Sequence, residues 1–139
     1  MNSKKWIVAF GMAIISYQTF SQCDDNSNAT AIPTSVGIVI STNDPETMWN
    51  ALRFANFSIS KGDTVDIFLL GKGVELENLI LTNGDIKEQS ESFLNSNGII
   101  LGCGTCLQSR NNENPQVCKF SSMSDLYDLV RKHKIVLTF

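Results

Sequence analysis

Two cysteines three positions apart, Cys103 and Cys106, are the residues of this chain whose types and spacing could do chemistry. A thiolate is a nucleophile toward sulfur, and two thiols about one helical turn apart can reach each other. Such a pair can take up sulfane sulfur on one cysteine, or cycle between dithiol and disulfide. Its setting, GIILGCGTCLQSR over residues 98–110, joins a short apolar run, a glycine hinge at Gly102 and a stretch able to form helix. Strand, glycine turn and helix start present side chains at the carboxyl edge of a parallel sheet. Free N–H groups at a helix start also lower a thiol pKa. Cys103, directly after the strand, is expected to face solvent with a modestly lowered pKa, to attack a sulfur donor and to hold the persulfide. Cys106 is expected to be the shielded thiol that releases the sulfur by closing a disulfide. The bland reading, an inert bridge or two small buried hydrophobes, sits poorly with a glycine-flanked turn at a strand end.

Other candidates are weaker. Cys118 reads equally as a resolving thiol or a buried structural cysteine. A four-ligand zinc site would need a second Cys-x-x-Cys or paired histidines, and the chain has only His133. Cys103, Cys106 and Cys118 together are the donor set of a three-thiolate copper(I) site, a minor alternative. His133 reads as a partner of a helix C-terminus rather than as a base. Arg110 is the one cation close in sequence to the pair, and its default reading is solvated charge. The glycines of Gly71-Lys72-Gly73 match neither a Walker A loop nor a dinucleotide fingerprint, so they read as a turn and no cofactor is implied.

The elements that must position the pair alternate strand and helix. Residues 36–40, 65–70 and 99–101 are short apolar runs without alternation, as strands buried on both faces require. Between the first two, Asp44 and Pro45 supply a cap and a first helical residue, and Met48, Leu52, Ala55 and Ile59 recur at helical spacing. Trp49 and Phe54 widen that stripe, and Gly62 stops the helix. Residues 74–81 form a short helix carrying Leu76, Leu79 and Ile80. Asp85 with Glu88 has capping-box spacing for the next helix, whose apolar side is Ile86, Phe93 and Leu94. After the cysteine loop come a polar turn over 111–115, a brief strand over 117–120, and a helix capped by Ser122 with Asp125. Its inward face is expected to be Met123, Leu126, Leu129 and Val130, and residues 135–139 form a closing strand. There is no internal repeat. The pattern calls for an α/β domain with a mostly parallel sheet covered by helices on both faces.

Length and charge agree with one such domain. The chain has 139 residues, 42% of them hydrophobic and 18% charged. Residues 1–21 read as a signal peptide: Lys4 and Lys5, an apolar run over 6–15 too short for a span, and a small-x-small site at Thr19-Phe20-Ser21. An uncleaved anchor and lipoprotein processing at Cys23 are the alternatives, and Gln22 is not the small residue that usually precedes a lipobox cysteine. Processing would leave 9 basic against 14 acidic residues, hence a formal charge of −5. No basic stripe remains for nucleic acid, and no stable membrane span is expected after processing. Residues 22–34 read as a flexible polar linker and 35–139 as the domain. Export, to the periplasm, places the cysteines in an oxidising compartment.

Several strings carry a resemblance: Leu52-Arg53-Phe54-Ala55, Phe68-Leu69-Leu70-Gly71-Lys72-Gly73-Val74, Cys103-Gly104-Thr105-Cys106, and the stretch 123–139 that opens Met123-Ser124-Asp125-Leu126. With them the chain resembles the DsrE/DsrF-like family, which includes TusD-type sulfur-relay subunits and YchN-type proteins. The resemblance covers residues 36–139, and the cysteine motif is its most specific part. It implies a flavodoxin-like three-layer sandwich, assembly into trimers or hexamers, and a donor or acceptor protein for sulfur. It also implies a persulfide on the cysteine that starts the loop, here Cys103, with Cys106 the added thiol of a Cys-Gly-Thr-Cys subgroup. The export signal sets this chain apart from the relay members, so what carries over is the thiol chemistry. Three functions stay open: a sulfane-sulfur carrier, a thiol-disulfide redox protein, and a non-catalytic binding subunit.

Overall fold

The computed structural model describes residues 32–139. The signal peptide read over 1–21, Cys23 and most of the linker lie outside the described residues. Five strands form one all-parallel sheet: β1 (Ser35–Ile40), β2 (Thr64–Leu69), β3 (Ile99–Cys103), β4 (Lys119–Ser121) and β5 (Ile135–Thr138). Their spatial order is β4-β3-β2-β1-β5. Isoleucine, valine and leucine runs suit this arrangement because every central strand is covered on both faces. Ile38, Ile40, Ile67, Phe68, Leu69 and Ile100 are accordingly buried.

Helix α1 (Pro45–Ser60) begins where the sequence says it should. Asp44 accepts from the Thr47 N–H, Pro45 occupies the first turn, and Gly62 ends the segment with φ +92°. It packs beside α3 (Gly84–Asn95) on one face of the sheet. The cap of α3 is not Asp85 with Glu88. Asn83 takes that role, its side chain accepting from the N–H groups of Asp85 and Ile86, so the helix starts before the acidic pair and Asp85 lies inside its first turn.

The other face carries α5 (Met123–Lys132), with the expected capping box between Ser122 and Asp125. Its inward face is narrower than its apolar pattern predicts. Leu129 is buried against Gly37 of β1 and Leu126 is half-buried, whereas Met123 and Val130 stay exposed. Positions 126, 129 and 133 share one side of the helix. Met123 and Val130 lie roughly a quarter turn round it, where a lone helix has no neighbour to meet. His133 follows on the buried side. It is not a helix-end partner in solvent: its Nε2 lies 2.9 Å from Oδ2 of Asp66, which also accepts from Lys132 Nζ at 2.7 Å.

Two short helices, α2 (Leu76–Thr82) and α4 (Gly104–Gln108), and a 3-10 turn over Gly71–Glu75 sit at the carboxyl edge. The crevice between β1 and β5, where the strand order reverses and ligands of such sheets usually bind, is stitched shut. Ser41 donates to the Phe139 carbonyl through both its N–H and its hydroxyl, and Phe139 N–H donates to Val39. The open chemistry lies instead at the ends of β2 and β3. No helix among the described residues is long and apolar enough to cross a membrane.

Candidate functional site

Strand β3 delivers Cys103 to the sheet edge as its last residue, opposite Ser121 of β4, and the chain turns at once into α4. The structure brings Cys103 and Cys106 together, and all three described cysteines are free thiols. The exposure of the pair is the reverse of the sequence expectation. Cys103 is 5% exposed while Cys106 is only half-buried. Burial pushes the Cys103 thiol up, and the Cys106 thiol beside it adds to the rise. The N–H groups of Cys106 and Thr105 pull back only in part. A five-residue helix offers too small a dipole to overturn desolvation.

The cause of the burial is local. β4 lies along β3, and Phe120 lays its ring against Gly104, where any Cβ would collide with it. Gly102 makes a similar approach on the strand: an added Cβ would stand 2.5 Å from the Cys118 sulfur. Glycine before and after Cys103 therefore lets Cys118 and Phe120 pack closely on either side of that residue. The Cys106 sulfur lies beside that of Cys103 and also meets the turn after β2, where the Gly71 N–H donates to it at 3.3 Å.

Arg110 is not a solvated charge. Its Nε donates to Glu75 Oε1 at 2.8 Å and one terminal nitrogen donates to the Cys106 carbonyl at 3.1 Å. Glu75 Oε2 accepts from Asn43 at 2.7 Å. The Arg110 bond, then the Asn43 bond, hold the Glu75 carboxyl below its usual range. Three loops, after β1, β2 and β3, are thus tied at one edge, with Cys106 on the tie.

Sequence reasoning missed the second carboxylate of this region. Glu77 of α2 is buried and accepts from three successive backbone N–H groups: Val117 at 2.8 Å, Gln116 at 3.0 Å and Cys118 at 3.1 Å. Its only mark in the sequence is an acid amid the apolar residues of 74–81. The Cys118 thiol next to it is pushed up to about 12, first by burial and then by the Glu77 charge. Cys118 is therefore a packed thiol rather than a resolving one. The folded value lies above the ordinary 9.0, so the thiol stays protonated in the fold well past that pH. In native protein Cys118 is expected to resist iodoacetamide up to pH 9.0 and to react only once the chain is unfolded; modification of the native chain near neutral pH would contradict this.

A cleft of about 410 Å³ opens between α2 and the segment after α4, lined by Glu77, Ile80, Leu107, Arg110, Asn112 and Gln116 among others. Neither cysteine lines it. Among the described residues no group of three or more His, Cys, Asp or Glu side chains is placed to hold a metal ion, the three cysteines included.

A parallel α/β sheet with paired free thiols at its carboxyl edge is the class that this fold and site define. Within it, the DsrE/DsrF-like sequence profile matches residues 34–139, and the chain belongs to that family, whose members are generally sulfur-relay proteins. No curated protein sequence matches the chain. Among solved structures it is similar to the ychN protein from E. coli, at 18% identity and a TM-score of 0.64, covering 78% of this chain and 100% of that one. It is equally similar to BT1422, a conserved protein of unknown function from Bacteroides thetaiotaomicron: 18% identity, TM-score 0.64, 76% of this chain and 95% of that one. Likenesses at that identity establish the fold.

Proposed function

We propose that this protein is an exported sulfane-sulfur carrier that holds sulfur as a cysteine persulfide on the Cys103–Cys106 pair, in the periplasm. The observation that carries the reading is the pair itself: two free thiols within reach of each other on one loop, with the rest of the edge knitted around them. A persulfide is a natural occupant of a thiol flanked by backbone N–H donors, since its terminal sulfur ionises readily and accepts such bonds. Export follows from Lys4, Lys5 and the apolar run, as does removal of residues 1–21.

The reading includes a homo-oligomer, a trimer or hexamer as in the family's assemblies. Met123, Tyr127, Val130, Ile135 and Val136 are all exposed on α5 and β5, apolar surface that an assembly would cover. A sulfur donor or acceptor protein is the other partner. Mass spectrometry of protein purified from its own periplasm tests all of this. The denaturing spectrum is expected to show a chain beginning near Gln22 with one extra sulfur atom, and the native spectrum an oligomer. A loss of two hydrogens would point to a dithiol-disulfide protein, an unchanged mass to a binding subunit, and a chain still starting at Met1 would end the export argument.

A further inference from the structure

We infer that Cys106, not Cys103, is the thiol that first meets the sulfur donor, with the Gly71 N–H as its positioning group and Cys103 as the internal thiol that discharges it. The inference rests on the sulfur-carrier reading and reverses the order that position in the motif implies.

Accessibility comes first. A sulfur donor must bring its sulfane sulfur in line with the attacking thiolate, so the attacking sulfur has to be open to the outside. Cys103 is buried at the end of a strand paired with β4, with Phe120 resting on Gly104 beside it. Cys106, beside Cys103, is half-buried and keeps part of its surface in solvent. Stabilisation comes second. The Gly71 N–H reaches the Cys106 sulfur from outside α4, from a turn fixed by its own bonds, Leu70 N–H to Ile40 and Gly73 N–H to Leu70. A hydrogen bond to a charged acceptor is about twice as strong as one to a neutral group, so this donor is placed to hold a persulfide formed on that sulfur. The Cys106 carbonyl accepts from Arg110, which ties the backbone of this residue to the same edge. Cys103, its thiol raised by burial, suits the later step, in which an internal sulfur reacts only when its neighbour has become an electrophile.

The chemistry balances with a persulfide R–S–SH as donor. The Cys106 thiolate attacks the outer sulfur, the donor's S–S bond breaks, and the electron pair leaves on RS⁻, which takes the proton released by Cys106. The product is Cys106–S–SH and RSH, with no net oxidation. Cys103 then attacks the inner sulfur of Cys106. A Cys103–Cys106 disulfide forms and hydrosulfide leaves with the electron pair; the protein is oxidised by two electrons and the sulfane sulfur is reduced to sulfide. An external dithiol reopens the bridge.

Two measurements on the full, reduced chain test the order. Substoichiometric iodoacetamide followed by peptide mapping is expected to label Cys106 at least about tenfold faster than Cys103. Loading with glutathione persulfide, read on the peptide that holds positions 103–106 so that Cys23 and Cys118 do not count, is expected to add one sulfur there in the Cys103→Ser chain and none in Cys106→Ser. Cys103→Ala is loaded in parallel, because a buried hydroxyl at that position could disturb folding. Faster labelling of Cys103, or sulfur gained by Cys106→Ser and lost by both Cys103 variants, overturns the inference. If no chain gains sulfur, the carrier reading fails while the labelling order still decides which thiol leads.

Discussion

Replacing Glu77 by alanine is expected to destabilise the domain by about 4 kcal/mol, more than loss of any single cysteine. One carboxylate satisfies three backbone N–H groups in a row, at Gln116, Val117 and Cys118. Hydrogen bonds to an ionised acceptor are worth about 1.5–3 kcal/mol each, and buried donors left bare forfeit their hydration as well. The full sum is not reached, because water enters the cleft beside Glu77 and satisfies part of what is lost. Glutamine at the same position keeps one acceptor oxygen but turns an NH2 group toward backbone donors, so it should recover less than half of the loss. Urea unfolding followed by circular dichroism measures both variants. The link to function is positional: the segment held by Glu77 includes Cys118, packed on Gly102, and leads into β4, which pairs with β3 up to Cys103. In Glu77→Ala, Cys103 and Cys118 should therefore become open to iodoacetamide at urea concentrations where the sheet still stands. A loss below about 1 kcal/mol would show that the segment is held by its own packing.

The sheet was legible because its strands are apolar runs bounded by turn residues. The local sequence also wrote its own punctuation at Asp44, Pro45, Gly62 and Ser122, and each of these acts where it stands. Legibility ended where a side chain's role depends on something distant in the chain. Met123 and Val130 have the spacing of an inward face, yet which third of a helix is covered depends on how many helices share that side of the sheet, and here α5 works alone. Asp66 looks like an interruption of an apolar strand until His133 and Lys132, more than sixty residues on, close over it. Glu77 is the same case. For the thiols, the spacing implied that Cys103 and Cys106 reach each other, and the structure brings them together. The motif misjudged exposure, because Cys103 is packed among residues distant in the chain and pairs with β4, a strand of only three residues with a weak pattern of its own. Sequence neighbours could reveal a helix start and its pull on the thiol pKa, but not the desolvation that outweighs it.

Gly73→Ala is expected to cost about 3 kcal/mol, although its backbone needs no left-handed conformation. The obstacle is contact: a Cβ at this position would run into the carbonyl oxygen of Ile40, with Ile40 C behind it. Side chains can swing aside from such a collision, but this oxygen belongs to a fully buried strand residue and already accepts from the Leu70 N–H. Either β1 bends, breaking its register with β2 at Ile40 and Leu69, or the turn lifts from the sheet. Lifting the turn moves Gly71, and with it the N–H that meets the Cys106 sulfur. Gly84→Ala is the control. That glycine has nothing within 4 Å of its would-be Cβ and begins α3, so alanine there should be neutral or gain up to about 0.5 kcal/mol from reduced backbone freedom. Urea midpoints of the two variants, measured side by side, separate a general dislike of alanine for glycine from the specific collision. A Gly73→Ala protein as stable as Gly84→Ala would mean that the Ile40 carbonyl can move. The turn that places a donor on Cys106 would then be held by its hydrogen bonds rather than by the fit of a residue without a side chain against a strand end.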